Sequence, residues 1–191
     1  MIWKDQRSVL SLVLLMAAVL SGYAAERQHT SERIAFVINA AVYFGTPYRY
    51  GGTTAKGMDC SGFVSRSVLD ILDMQMPRTS AAIAEYTKRI TEAEIQPGDV
   101  LFFQTGRRIS HTGIYIGAGQ FIHSASDGPK TGVIISNIQE KYWKKTFRFA
   151  GSLLRPEEIF FAESAIPFFS RTPENCPLHP AIAAKLAAVQ Q

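Results

Sequence analysis

Three side chains in this sequence have the types needed for nucleophilic catalysis: Cys60, His111 and His123. Cys60 stands in Gly57-Met58-Asp59-Cys60-Ser61-Gly62-Phe63-Val64. The apolar positions Val64, Val68, Ile71 and Leu72 that follow predict one face of a helix starting at Asp59 or Cys60. A helix start sets partial positive charge and free N–H groups beside the sulfur, favouring the nucleophilic thiolate. Asp59 is suited to cap that helix. A buried, inert cysteine packed as a small hydrophobe fits the position equally well. The histidines lie twelve residues apart, around a turn at Gly117-Ala118-Gly119. Side chains alternate along strands, so a turn centred on Ala118 pairs His111 with Ala125 and Gly113 with His123. Both imidazoles then occupy one face of a hairpin, about 7 Å apart at the backbone. Thiol, base and orienting imidazole are the parts of a cysteine hydrolase. Two core histidines, or a Cys-His-His zinc site, are the other readings of the same residues.

These groups need elements to bring them together, and the sequence supplies two blocks. Ile34, Val37, Ile38, Ala41 and Val42 predict the apolar face of a helix from Ser31 to Phe44, stopped by Gly45-Thr46-Pro47. A loop of glycine and small residues, Tyr50 to Gly57, leads into the cysteine helix, and a third helix is predicted from about Ser80 to Ile90. Beyond Pro97-Gly98 the runs Val100 to Gln104, Thr112 to Ile116, Gln120 to Ser124 and Gly132 to Ser136 read as strands, with a fifth around Thr146 to Gly151. Helices first and strands afterwards predict an α+β domain, its N-terminal helices packed on a central antiparallel sheet of about five strands.

Composition bounds what such a domain does. The chain has 191 residues, 47% hydrophobic and 19% charged, enough for one globular domain plus a tail. Its formal charge of +4 comes without a long basic run, so nucleic acid is not indicated. Two cysteines are too few for a four-thiolate zinc site. Residues 1–24 read as a signal peptide: Lys4 and Arg7, an apolar run from Val9 to Leu20, then the small-residue exit Gly22-Tyr23-Ala24. That run is shorter than the ~20 residues that cross a bilayer. An uncleaved helix is the alternative. The main domain is expected over 25–155 and a tail, with Cys176 and His179, over 156–191.

The strings Pro47-Tyr48-Arg49-Tyr50-Gly51-Gly52, Asp59-Cys60-Ser61-Gly62-Phe63-Val64, Pro77-Arg78-Thr79-Ser80 and Pro97-Gly98-Asp99-Val100-Leu101-Phe102-Phe103 together resemble the NlpC family. Its members are papain-like cysteine peptidases that cut peptidoglycan stem peptides. Ser110-His111-Thr112-Gly113-Ile114, Phe121-Ile122-His123-Ser124, Gly132-Val133 and Tyr142-Trp143 continue the likeness, which runs over about residues 33–155. It is nearest in type to small periplasmic murein endopeptidases. The resemblance implies Cys60 as nucleophile, His111 as general base and acid, and His123 as the group orienting His111. It also implies Tyr48 beside the sulfur, helping to stabilise the oxyanion with a backbone N–H near Cys60. Asp59 and Ser61 would shape the substrate-binding end, although helix capping explains them equally well. No metal or organic cofactor is implied, and the partners would be peptidoglycan stem peptides, met by a monomer with or without a regulatory adaptor. Many relatives are lipoproteins; here Tyr23 follows Leu20-Ser21-Gly22 and has no thiol to acylate, so export to the periplasm or medium without a membrane anchor is expected. A bond between Cys176 and Cys60 would switch such an enzyme off, and an unpaired tail residue is the simpler expectation. A catalytically silent wall-binding module and a secreted antibacterial amidase of the same chemistry are the alternative functions.

Overall fold

The computed structural model describes residues 32–128 and 130–153. The expected signal peptide over 1–24, the tail over 156–191 and Cys176 lie outside the described residues. Three helices come first: α1 over 32–42, α2 over Cys60–Leu72 and α3 over Ser80–Tyr86. Between α1 and α2 runs a two-stranded ribbon, β1 (Thr53–Thr54) with β2 (Gly57–Met58). The strands β3 (Lys88–Ile90), β4 (Val100–Phe103), β5 (His111–Gly117), β6 (Gln120–Ala125), β7 (Gly132–Asn137) and β8 (Phe147–Ser152) follow. A short helix, α4 (Lys141–Thr146), precedes β8.

The main sheet is antiparallel, in the order β3-β8-β4-β5-β6-β7, so it has six strands where about five were expected. The extra strand is Lys88–Ile90, expected as the end of the third helix. Helix α3 stops at Thr87, whose backbone turns extended (φ −80°, ψ 150°) while its N–H still bonds the Ile83 carbonyl. Branched side chains at Thr87 and Ile90 suit a strand, and Arg89 then pairs with Gly151. Helix α1 also departs from its predicted stripe. It buries Arg33, Phe36 and Ala40, while Ile34 and Ile38 are each 52% exposed. Arg33 determines that rotation: its guanidinium donates to Asp99 at 2.9 Å and to the Pro97 carbonyl at 3.0 Å beneath the sheet end.

The sheet separates two cores. Val100, Phe102, Ile114 and Ile122 pack with Phe36, Ala40, Phe63, Val64, Val68 and Ile83 from the helices. A fully buried phenylalanine such as Phe63 contributes about 1.5–3 kcal/mol, so this core is what docks α2 on the sheet. The alternate residues Leu101, Phe103 and Phe121 pack with Ala150 in a smaller cluster, closed by Trp143 and Phe147.

The β5–β6 hairpin reaches its expected register by an unexpected route. Its turn is two residues, Ala118 and Gly119, both at positive φ (50° and 75°), and the strands close at Gly117 opposite Gln120. A bulge between Tyr115 and Gly117 then shifts the pairing by one residue. Beyond it Tyr115 faces Phe121 and Ile114 faces Ile122, the register that sets Gly113 against His123.

Candidate active site

Asp59 begins the site. Its extended backbone (φ −88°, ψ 179°) makes it the N-cap of α2, and its Oδ1 accepts the Gly62 N–H at 2.7 Å. The same carboxylate accepts the Gly51 N–H at 2.8 Å and two bonds from Arg78, at 2.9 and 2.6 Å. Burial alone would raise its pKa; Arg78 and the two N–H groups outweigh that and hold the carboxyl below its usual range. Ser61 donates to the Arg78 carbonyl at 2.9 Å. Asp59 and Ser61 are both buried and both border the cleft beside the sulfur, with capping the contact that Asp59 makes directly. Arg78, quoted in a motif but given no part to play, is the group that ties this corner together.

Cys60 is the first residue of α2. Its sulfur lies 3.5 Å from the Ser80 hydroxyl and donates to the Ser110 carbonyl at 3.8 Å, and the Thr112 N–H also points to it. The sulfur thus rests against the backbone on both sides of His111. Burial pushes the thiol up from its ordinary value; the Ser80 hydroxyl and the Thr112 and Ser61 N–H groups pull it down, and the Asp59 charge adds to the rise. The thiolate expected from the helix start is therefore not the resting form. Burial and the capping carboxylate together exceed the pull of the helix end.

His111 stands at the start of β5 and His123 in the middle of β6. The Nε2 of His111 and the Nδ1 of His123 are 2.9 Å apart, and the Nε2 of His123 lies 3.1 Å from the Ser136 hydroxyl on β7. Burial lowers the His111 pKa to about 4, and burial with the neighbouring His111 lowers His123 to about 2, so both rings rest neutral. Aromatic rings hold them. Trp143 stacks on His111 (centroids 5.1 Å, 28°) and meets His123 edge-on at 4.8 Å, while Phe121 stacks on His123 at 4.7 Å. Trp143 reaches them from α4, an element that β-type pattern reading does not find.

Tyr48 bridges to Met58 beside the ribbon, half-buried, and its hydroxyl is raised by burial first and by the nearby Cys60 second. Tyr48, Asp59, Cys60, Ser61, Ser80 and Ser110 border one open cleft of about 520 Å³, with Arg78 and Arg108 at its edge. A metal held by both imidazoles would need their facing nitrogens to converge on it, whereas those nitrogens bond each other directly. Among the described residues no cluster of three or more His, Cys, Asp or Glu is placed to hold a metal ion, and no helix is long and apolar enough to cross a membrane.

This cysteine, placed at a helix start against a strand that carries a histidine pair, sits in a chain whose residues 45–151 match the model of the NlpC/P60 family, more than half its length. The chain belongs to the NlpC/P60 family. Its fold is accordingly the papain-like α+β arrangement of that family. The Murein DD-endopeptidase MepS/Murein LD-carboxypeptidase of Escherichia coli strain K12 is 40% identical over 110 residues, 58% of this chain and 57% of that protein. The probable endopeptidase NlpC of the same organism is 43% identical over 107 residues, 55% of this chain and 68% of that protein. This NlpC/P60 chain thus spans little more than half the length of the first of these relatives. The solved NlpC/p60 domain of the peptidoglycan hydrolase SagA superposes with a TM-score of 0.55 at 29% identity, covering 63% of this chain and 98% of that domain.

Proposed function

We propose that this NlpC/P60 domain is a cysteine endopeptidase that hydrolyses amide bonds in peptidoglycan peptides through a thioester intermediate. One observation carries the reading: the Cys60 sulfur opens on a cleft while resting against the backbone that flanks His111, whose Nε2 is held by His123 at 2.9 Å and whose Nδ1 is left for the thiol. The matched relative named a murein DD-endopeptidase and the solved domain of a peptidoglycan hydrolase support the substrate class.

The chemistry follows from the resting charges. With thiol and imidazole both neutral, the Nδ1 of His111 takes the thiol proton as the sulfur attacks the carbonyl carbon. The resulting oxyanion is within the province of the Cys60 N–H, which has no acceptor in its own helix, and of the Tyr48 hydroxyl. His111 then passes its proton to the leaving amine, the C–N bond breaks and a thioester remains. Water, giving its proton to His111, attacks that thioester, and the acid leaves as the thiol is restored. Every step uses groups of this chain and water. Residues 1–24 would deliver the enzyme to the wall outside the cytoplasm.

The test is to incubate the protein and its Cys60→Ala variant with intact sacculi and with soluble muropeptides, identifying new ends by mass spectrometry. The reading expects new peptide ends from the wild type and at least a roughly thousandfold loss in the variant. Absence of products from folded, reduced wild-type protein on both substrates would overturn it in favour of a silent binding module.

A further inference from the structure

The histidine pair is not the end of the hydrogen-bonded chain, and its last member, Ser136, has no part in any function assigned so far. Ser136 lies on β7, one of the two edge strands of the sheet. In the β6–β7 register Ser136 faces Phe121 and His123 faces Ile134, so Ser136 is the diagonal neighbour of His123 on the same face. Its hydroxyl lies 3.1 Å from the His123 Nε2, and the opposite nitrogen of that ring lies 2.9 Å from the His111 Nε2.

Counting protons along this chain leaves two states. A bond between two ring nitrogens holds one proton, and a neutral imidazole carries one proton in all. In the first state Ser136 accepts from the His123 Nε2–H. His123 Nδ1 is then bare and accepts from the His111 Nε2–H, which leaves the His111 Nδ1 bare and able to take the thiol proton. In the second state Ser136 donates to His123 and every bond reverses. The proton of His111 then sits on Nδ1, and the ring is no base toward Cys60. His123 is fully buried among Phe121 and Trp143, so no water is needed to complete its bonds; Ser136 is its remaining partner.

We propose that Ser136 is a positioning residue whose hydroxyl accepts the His123 Nε2–H and so sets the direction of the whole chain, keeping the His111 Nδ1, the nitrogen His123 does not occupy, unprotonated. Ser136 is half-buried on an edge strand, and its own proton is free to point to solvent, which lets the oxygen act as acceptor. The inference deepens the hydrolase reading and rests on it for the role of His111.

Two readouts test it, one of them independent of peptidoglycan. Nitrogen NMR of ¹⁵N-histidine-labelled protein reports which ring nitrogen carries the proton. The expectation is Nε2-protonated neutral rings at both His111 and His123 in the wild type, and a mixture of tautomers in Ser136→Ala. On muropeptides Ser136→Ala should lose about tenfold in kcat with KM unchanged, a part of the hundred- to ten-thousand-fold that a positioned base supplies, and Ser136→Thr should restore most of it. Wild-type rings protonated on Nδ1 would overturn the proposal, as would an unchanged tautomer and kcat in Ser136→Ala or a failure of the threonine to rescue. Should the wild type release no peptides at all, the hydrolase reading fails while the NMR result still decides the direction of the chain. The alkylation of Cys60 by iodoacetamide at pH 7, followed on the peptide containing it, then replaces kcat as the readout of the base.

Discussion

The base role proposed for His111 requires an unprotonated ring, and its surroundings arrange that by desolvation. Trp143 covers one face of the ring and His123 occupies one nitrogen, so the charged form has little water to stabilise it. With its pKa lowered to about 4, the imidazole is a free base throughout the neutral and mildly acid range. The acid limb of kcat/KM on muropeptides should accordingly fall near pH 4 to 5, well below the ordinary histidine value of about 6.5. A limb near 6.5 would mean that the ring is solvated. At Cys60 burial raises the thiol, so in the proposed mechanism attack and proton transfer are a joint event rather than the work of a standing ion pair. Burial is the largest cause of that rise, and the carboxylate that caps the helix adds to it by placing a negative charge beside the sulfur.

Among the elements, the β5–β6 hairpin carries the most consequence for its size. A two-residue turn, continued without a bulge, would pair Gly117 with Gln120 and then Ile114 with His123, setting the two histidines on opposite faces of the sheet. The one-residue shift at Ile116 restores the parity that brings them together. Gly113 completes the arrangement. A Cβ built there would stand 2.8 Å from the His123 Cβ and 2.8 Å from the Phe121 ring. Gly113→Ala should therefore displace His123, lowering kcat by at least about tenfold and costing roughly 1–3 kcal/mol of stability by overpacking. Unchanged kcat together with an unchanged urea midpoint would show that β6 gives way freely. Helix α4 acts in the same spirit on the other side, because its six residues bring Trp143 over both rings.

Across the molecule, one sheet serves two separate cores, and the site is assembled from both. The helix-side core holds α2 and hence Cys60, while the smaller aromatic cluster holds the imidazoles. Burying two neutral histidines links stability to pH. Their folded pKa values, about 4 and about 2, lie below the unfolded value, so between pH 6.5 and 4 the unfolded chain binds more protons than the folded one. Stability contributed by these rings is present above the unfolded pKa and is lost as pH falls through that window. The melting temperature should drop by roughly 5 °C or more between pH 7 and pH 5. In His123→Phe, which keeps the ring and removes one titrating group, the drop should be smaller; an equal drop would place the pH sensitivity elsewhere in the chain.

Local pattern was enough to single out Cys60, the histidine pair, the helix-then-strand order and the cap at Asp59, because each depends on residue type and short-range spacing. The face of α1, the strand at Lys88–Ile90, the bulge at Ile116, and the parts played by Arg78, Trp143 and Ser136 were decided only in three dimensions. Arg33 turns α1 because Asp99 waits 66 residues away, and no local apolar count records that partner. The thiol differs from expectation for the same reason. A helix start is a local feature that lowers a cysteine pKa, whereas desolvation is set by everything folded over it, and at Cys60 the second effect is the larger.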